Sequence, residues 1–361
     1  MVCSRPRSPQ KRSGGPIYAN ARRELYTAFW RLSFATCGGR HLKIGVVLNQ
    51  DSGTLRDGDA EEMARTIVDI VKSHRHKVDV KLVRGAEIKE ALTQARQSND
   101  AVLAGGGDGT VSTAAAIFAG HDTALGILPL GTMNLFARAL GLPLKLEEAV
   151  EALITGQRRH IDVGEVNGEI FVHHVTLGLH PRIVAGRERQ RYRSRLGKKL
   201  AGFKTWWKLI RRAPRMKLGL TVDSDRIKLK TASLIIANNP FIEKLGGLPH
   251  SEMPERGKLA IYAAQTRDWK ELLAMSAQAS LGKWESNSRL DFLEGGEIAI
   301  HTERKRLRVS IDGELAYLQT PLRAKILPSS LWVLCPVTAD VKPKTPSAAP
   351  PKMRRLRHAG R

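Results

Sequence analysis

Apolar and polar positions alternate in two different ways along the chain. Leu42 to Leu48 is a strand-like apolar run that ends in N-Q-D-S-G. Met63, Ile67, Ile70 and Val71 then fall on one helical face within residues 60–74, which predicts an amphipathic helix. V-D-V-K-L-V (78–83) predicts a strand, Ile88 to Arg96 a helix, and Ala101 to Ala104 a short buried strand. After three glycines, Val111 to Ala119 predicts a helix, Ala124 to Leu128 a strand, Met133 to Leu140 a helix stopped before Pro143, and Leu146 to Thr155 another. Such alternation implies a parallel sheet covered by helices.

From about Ile161 the period changes. I-F-V-H-H-V-T-L, L-G-L-T-V-D-S, T-A-S-L-I-I-A-N-N, K-L-A-I-Y-A-A, E-I-A-I-H-T, L-R-V-S-I-D-G-E-L-A-Y-L and S-L-W-V-L-C are short β-rich runs, interrupted by helical patterns near 190–212 and 268–281. They predict a second, mainly antiparallel β domain. The expected organisation is a poorly ordered basic arm over 1–40, an α/β domain over 41–158, a β-rich domain over 159–338 and a disordered basic tail over 339–361. A chain of 361 residues, 42% hydrophobic and 26% charged, suits two globular units.

Charge changes this picture locally. Residues 1–40, 186–217 and 340–361 carry +7, +12 and +6, together +25 against a whole-chain +24, so everything else sums to −1. Basicity confined to two tails and one internal stretch argues for docking to something anionic and says little about the fold. Within 186–217, Leu200, Phe203, Trp206, Trp207 and Ile210 recur at helical spacing among Lys and Arg, as in a helix lying in a membrane interface or one packed on its own domain. Cys3, Cys37 and Cys335 form no C-x-x-C pair, which favours a reducing compartment without disulfide or zinc. No apolar run approaches a membrane span, and Arg31 splits the only stretch resembling a signal sequence. A cytoplasmic protein, free or resting on the inner face of the membrane, is expected.

The chemistry concentrates in A-V-L-A-G-G-G-D-G-T (101–110). Ligands of parallel sheets gather at the carboxyl ends of strands, where helix N-termini present free N–H groups. Gly105, Gly106 and Gly107 would let phosphate oxygens approach the backbone there, and Gly109 and Thr110 lead into a helix. Asp108 would repel a bare polyphosphate unless Mg²⁺ lay between them. The loop matches neither a Walker A sequence nor G-x-G-x-x-G. Alone it reads equally well as a structural turn. A second Gly-Thr pair, in I-L-P-L-G-T-M-N-L-F-A-R (127–138), lies one βα unit later, and Asn49, Ser52 and Gly53 end the first strand.

The ordered set N-x-x-S-G, G-G-D-G-T, P-L-G-T-x-N-x-F-A-R and a distal D-G-E resembles the diacylglycerol kinase catalytic-domain family of lipid kinases. The resemblance spans roughly residues 42–335. It implies an α/β nucleotide domain, a C-terminal β-sandwich and ATP between them. ATP would then be held by Asn49, Ser52 and Gly53, by Gly106, Gly107, Asp108, Gly109 and Thr110, and by Thr132. Asp108 would act through Mg²⁺, and Asp312 of D-G-E would take the proton of a lipid hydroxyl as it attacks the γ-phosphate. Read by itself, Asp312-Gly313 is also a hairpin turn. The two readings are compatible if the hairpin tip faces the cleft.

The chain departs from the family pattern at four places. Gln50 and Thr54 stand where the first loop usually has Pro and often Lys, with Arg56 a nearby cation. Leu135 replaces the Asp of G-T-x-N-D, although Asp162 matches a family acidic position. Arg256-Gly257-Lys258-Leu259 replaces the D-G-x-L of a structural magnesium segment, from which no peripheral Mg²⁺ is expected. His173, His174 and His180 lack acidic or Cys partners at metal spacing and read as strand or core histidines. The expected partners are a lipid substrate in the membrane and an anionic membrane surface reached through 186–217 and the tails, with no specific nucleic acid. A homodimer stays open. An NAD-kinase-like enzyme, or a non-catalytic binder of anionic surfaces or nucleic acid, is the alternative reading.

Overall fold

Four parallel strands, β1 (Lys43–Asn49), β2 (Lys77–Val83), β3 (Ala101–Gly106) and β4 (Ala124–Pro129), stand side by side in the order β2-β1-β3-β4 in a computed structural model of the chain. The structure describes residues 41–57, 59–188, 211, 215–242, 250–251, 256–266, 269–280, 290–337 and 354–355. The arm over 1–40, most of the basic stretch 186–217 and nearly all of the tail over 339–361 lie outside them.

Helices α1 (Gly53–Asp57), α2 (Ala60–Ser73), α3 (Ile88–Ser98), α4 (Asp108–Phe118), α5 (Leu135–Ala139) and α6 (Leu146–Ile154) follow or connect these strands. Every residue of β3 and β4 is buried, so both are continuous apolar runs. β2 is an edge strand, and its K-V-D-V-K-L-V keeps two lysines and an aspartate along that edge. α2 starts where Asp59 accepts the Glu61 and Glu62 N–H groups at 2.9 and 3.0 Å. α4 buries Val111, Ala114, Ala115 and Phe118, the i, i+3, i+4, i+7 stripe of a helix lying on a sheet.

The second half is a sandwich of two antiparallel layers. One contains β7 (His174–Gly178), β10 (Ser233–Ala237), β13 (Leu259–Ala264), β14 (Leu290–Gly295), β16 (Arg306–Ile311) and β17 (Glu314–Gln319). The other contains β8 (Met216–Val222), β9 (Asp225–Thr231), β15 (Glu297–His301) and parts of β5 (Gln157–Val166), β6 (Glu169–Phe171) and β18 (Leu322–Cys335). Val175, Leu177, Leu234, Ile236, Ile261 and Val309 of the first layer pack on Leu218, Leu220, Ile298, Ile300, Leu322 and Ala324 of the second. Helix α7 (Leu179–Glu188) contacts β16 and β17, β11 (Phe241–Ile242) and β12 (His250–Ser251) form a separate antiparallel pair, and α8 (Trp269–Ser280) follows β13.

The expected division between residues 158 and 159 falls inside β5. Moreover, the strand expected to close the β domain returns to the α/β sheet, where Val333 pairs with Leu125 of β4 in parallel. β18 pairs antiparallel with β5 on both sides of an irregularity at Leu327/Leu331. There Ser329 has φ +49°, and its N–H bonds to Asp162 Oδ1 at 2.8 Å. Asp162 is 4% exposed, and its Oδ2 accepts the Gly257 N–H at 2.7 Å. A bulge bends a strand, and here a buried carboxylate pins the bend that lets β18 serve both sheets. The two units are therefore joined by two shared strands. The apolar run S-L-W-V-L-C reads the same whichever sheet receives it.

Candidate active site

The strand order places a topological switch point between β1 and β3, because the chain leaves β1 toward β2 and leaves β3 toward β4. Loops at such a point diverge and open a crevice at the strands' carboxyl ends. Asn49–Gly53 ends β1, Gly106–Thr110 ends β3 and Leu130–Asn134 ends β4, so the three sequence motifs emerge together. Asn49 Nδ2 donates to Thr110 Oγ1 at 3.0 Å across the switch point, and Asn49 Oδ1 accepts the Asp51 N–H at 3.1 Å. Ser52 is buried, and its hydroxyl donates to the Asn49 carbonyl at 2.7 Å. Asn49 and Ser52 therefore shape the first loop with their side chains.

The glycines make close approach obligatory. A Cβ on Gly131 would lie 2.6 Å from Gly107 Cα, a backbone-to-backbone collision, so the second and third loops touch. A Cβ on Gly53 would come within 3.4 Å of Thr132 Oγ1, which brings the first loop against the third. Gly107 caps α4 with no side-chain hydrogen bond, leaving the first-turn N–H groups of an 11-residue helix without a capping side chain. Such an arrangement, an uncapped helix start between walls of backbone, is of the kind that can receive anionic oxygens.

Asp108 Oδ1 accepts the Leu135 N–H at 2.9 Å. Leu135, which lacks the carboxylate of the family pattern, thus meets Asp108 through its main chain. The expected helix from Met133 begins two residues late because Asn134 is left-handed, at φ +51° and ψ +44°. Its side chain accepts the Gly131 N–H at 2.8 Å and donates to the Pro129 carbonyl at 3.1 Å. Asn134 thereby folds the third loop back on itself.

The D-G-E segment is a two-residue hairpin turn whose central Asp312 and Gly313 have φ of +46° and +94°. Positive φ at both central residues gives the turn preferred by tight hairpins, and the tip faces the glycine loop. A Cβ on Gly109 would come 2.7 Å from Glu314 Oε1. Asp312 Oδ1 accepts the His173 and His174 N–H groups at 2.9 Å each. Its Oδ2 accepts the Val172 N–H at 2.9 Å and the Ser112 hydroxyl at 2.5 Å. The turn and catalytic readings of Asp312 are thus geometrically compatible. Ser112 is a participant that sequence reasoning missed, because no local pattern connects it to a residue 200 positions away.

Behind this carboxylate, His174 is half-buried, and its imidazole is pushed down to about 4, first by its removal from water and then by His173 and His180, against the opposing pull of Asp312. Its ring lies 6.1 Å from that of His180 and 6.0 Å from that of Phe241. His180 in turn bonds Thr176 Oγ1 at 2.9 Å, and Phe241 stacks on Tyr262 at 5.3 Å. Of the three histidines expected in strand or core, His174 opens β7, His173 precedes it and His180 lies in α7, and all three are half-buried.

The other departures also find places. Arg256 pairs with Glu294 at 3.4 Å beside the Gly257–Asp162 contact. The Gln50 N–H bonds to the Val83 carbonyl at 2.9 Å, and Arg56 is exposed on α1. Two open grooves of about 490 and 720 Å³ share Gln319 and Thr320, at the far end of the β16–β17 hairpin from Asp312, and neither contains a predicted site residue. Among the described residues no three His, Cys, Asp or Glu side chains converge as metal ligands, and no helix is long and apolar enough to cross a membrane.

Comparison with known proteins adds to this geometry. The sequence model described as the diacylglycerol kinase catalytic domain matches residues 43–166. A Staphylococcus haemolyticus protein named "Putative lipid kinase" is 31% identical over 242 residues, covering 65% of this chain and 76% of that protein. A Staphylococcus aureus protein of the same name is 28% identical over 236 residues, 63% of this chain and 75% of its own length. Among solved structures, one titled a putative diacylglycerol kinase from Bacillus anthracis superposes with a TM-score of 0.65 at 21% identity, covering 83% of this chain and 97% of that one. That likeness concerns the fold.

Proposed function

The chain belongs to the diacylglycerol kinase catalytic-domain family of lipid kinases, and from that premise we propose that it moves the γ-phosphate of ATP to a hydroxyl of a membrane lipid, diacylglycerol or a related lipid alcohol. The observation that carries this reading is the meeting of the three backbone-walled loops with the D-G-E hairpin tip, Glu314 beside Gly109 and Asp312 against α4.

Phosphoryl transfer asks a protein mostly for positioning and charge neutralisation. The uncapped first turn of α4 and the touching Gly107 and Gly131 would seat the phosphate chain, with Thr132 and Gly53 on its flank. A magnesium ion fits this donor set if the nucleotide supplies most of its oxygens, since such ions commonly use one or two carboxylates plus phosphates. Asp108 Oδ2, the oxygen not bonded to Leu135, would be the protein ligand. The ion would neutralise charge on the β- and γ-phosphates. Asp312 is the proposed proton acceptor, held in place by three backbone N–H groups.

The test is transfer of labelled γ-phosphate from ATP with Mg²⁺ to diacylglycerol and to a total lipid extract. Asp312→Asn is expected to lower turnover roughly 10³-fold with ATP affinity retained, the scale of a lost general base. A variant that keeps wild-type turnover overturns the assignment of Asp312. Nucleotide binding with no lipid labelled by the wild type would favour a binding protein instead.

A further inference from the structure

Ser112 stands in the second turn of α4, four residues after Asp108, and is half-buried. It lies three residues beyond Gly109, so both face the same side of the helix, the side met by the D-G-E hairpin. Its hydroxyl donates to Asp312 Oδ2 at 2.5 Å, the shortest of the four hydrogen bonds to that carboxylate.

A carboxylate offers about four lone-pair directions, and Asp312 has all of them filled. Three of the donors are the main-chain N–H groups of Val172, His173 and His174, fixed by the strand that begins at His174. These cannot turn away. The fourth is a hydroxyl on a rotor, which keeps acceptor capacity while it donates. An incoming lipid hydroxyl therefore finds no open position on Asp312 itself. The acceptor next to it is Ser112 Oγ.

Resting on the lipid-kinase reading above, we propose that Ser112 is a catalytic relay, through which the proton of the acceptor hydroxyl reaches Asp312. As the lipid oxygen bonds to the γ-phosphorus, the bond from that phosphorus to the bridging oxygen breaks and its electron pair leaves with ADP. The lipid O–H proton passes to Ser112 Oγ while the proton of Ser112 passes to Asp312 Oδ2. No other reactant is consumed, and Asp312 returns its proton to solvent once the products depart.

The experiment measures kcat and KM for ATP, with Mg²⁺ and diacylglycerol in mixed micelles, for wild type, Ser112→Ala and Ser112→Thr. It adds a proton inventory of wild-type turnover in H₂O/D₂O mixtures. Ser112→Ala should lose about 100-fold in kcat, within the range for proton transfer by a positioned side chain, with KM for ATP unchanged within about twofold. Ser112→Thr, which restores a hydroxyl, should recover most of the loss. The wild-type inventory should be curved, reporting two protons in motion, and this readout stands even if a variant fails to fold. An alanine variant within about twofold of wild-type kcat, or a linear wild-type inventory, overturns the relay and leaves the kinase reading intact. A wild type that labels no lipid overturns both.

Discussion

On the α/β side of the site, Asp108 commits one oxygen to the Leu135 N–H, and the walls around it are glycine backbone. On the sandwich side, Asp312 has both oxygens committed to four donors and rests on half-buried His174. One side is open backbone, and the other is a saturated polar network that holds a single arrangement. The difference teaches where each side is fragile. The first yields to any added atom, while the second yields to any added proton.

The largest expected effect is therefore on the sandwich side and is set by pH. His174 is neutral in the folded protein because burial pushes its imidazole down to about 4, whereas an exposed histidine titrates near 6.5. Its folded-state affinity for protons is below the unfolded one. Its contribution to stability is thus complete above pH 6.5 and is lost as pH falls from there toward 4. The loss approaches roughly 3 kcal/mol. Urea unfolding between pH 7 and pH 4.5 should show this slope, and His174→Gln should flatten it. An imidazole resonance of His174 that titrates at 6.5 would show that the network is not closed.

On the α/β side the corresponding break is steric. In Gly131→Ala the new Cβ would meet Gly107 Cα at 2.6 Å, and neither backbone can yield without moving a loop. Overpacking of this kind typically costs about 1–3 kcal/mol. Because the two loops form the proposed phosphate cradle, the loss should appear mainly in ATP affinity, roughly 30-fold if about 2 kcal/mol is felt there. Calorimetric titration with ATP and Mg²⁺ checks it. Unchanged affinity would mean that the nucleotide does not sit between these loops.

The same contrast explains what could be read from the chain. The α/β side announces itself because its parts are contiguous. Apolar strands end in Asn49, Gly106 and Pro129, and each motif carries its own turn chemistry. The hairpin at Asp312-Gly313 was legible as a turn, and as part of a site only through the family's D-G-E. What stayed hidden was convergence across distance. Asp312 meets Val172 to His174 about 140 positions away and Ser112 200 positions away. The return of β18 to β4 was hidden too, since buried strands of either sheet carry the same Val and Leu pattern.

The smallest expected effect sharpens the comparison most, because Asn49 belongs to the open side yet acts as a brace. Its Nδ2 joins the first loop to Thr110 of the second, and its Oδ1 turns the chain at Asp51. Asn49→Ala removes both bonds, one to the buried Thr110 and one to the exposed Asp51. About 1 kcal/mol is then at stake, which is roughly a fivefold loss if it falls on ATP binding. If Asn49 only prearranges the cradle, KM for ATP rises and kcat at saturation holds, the pattern of an interaction made equally in ground and transition states. If kcat falls while KM holds, the Asn49–Thr110 bond tightens as phosphate moves, and the α/β side shares in the transition state as the Asp312 side is proposed to do.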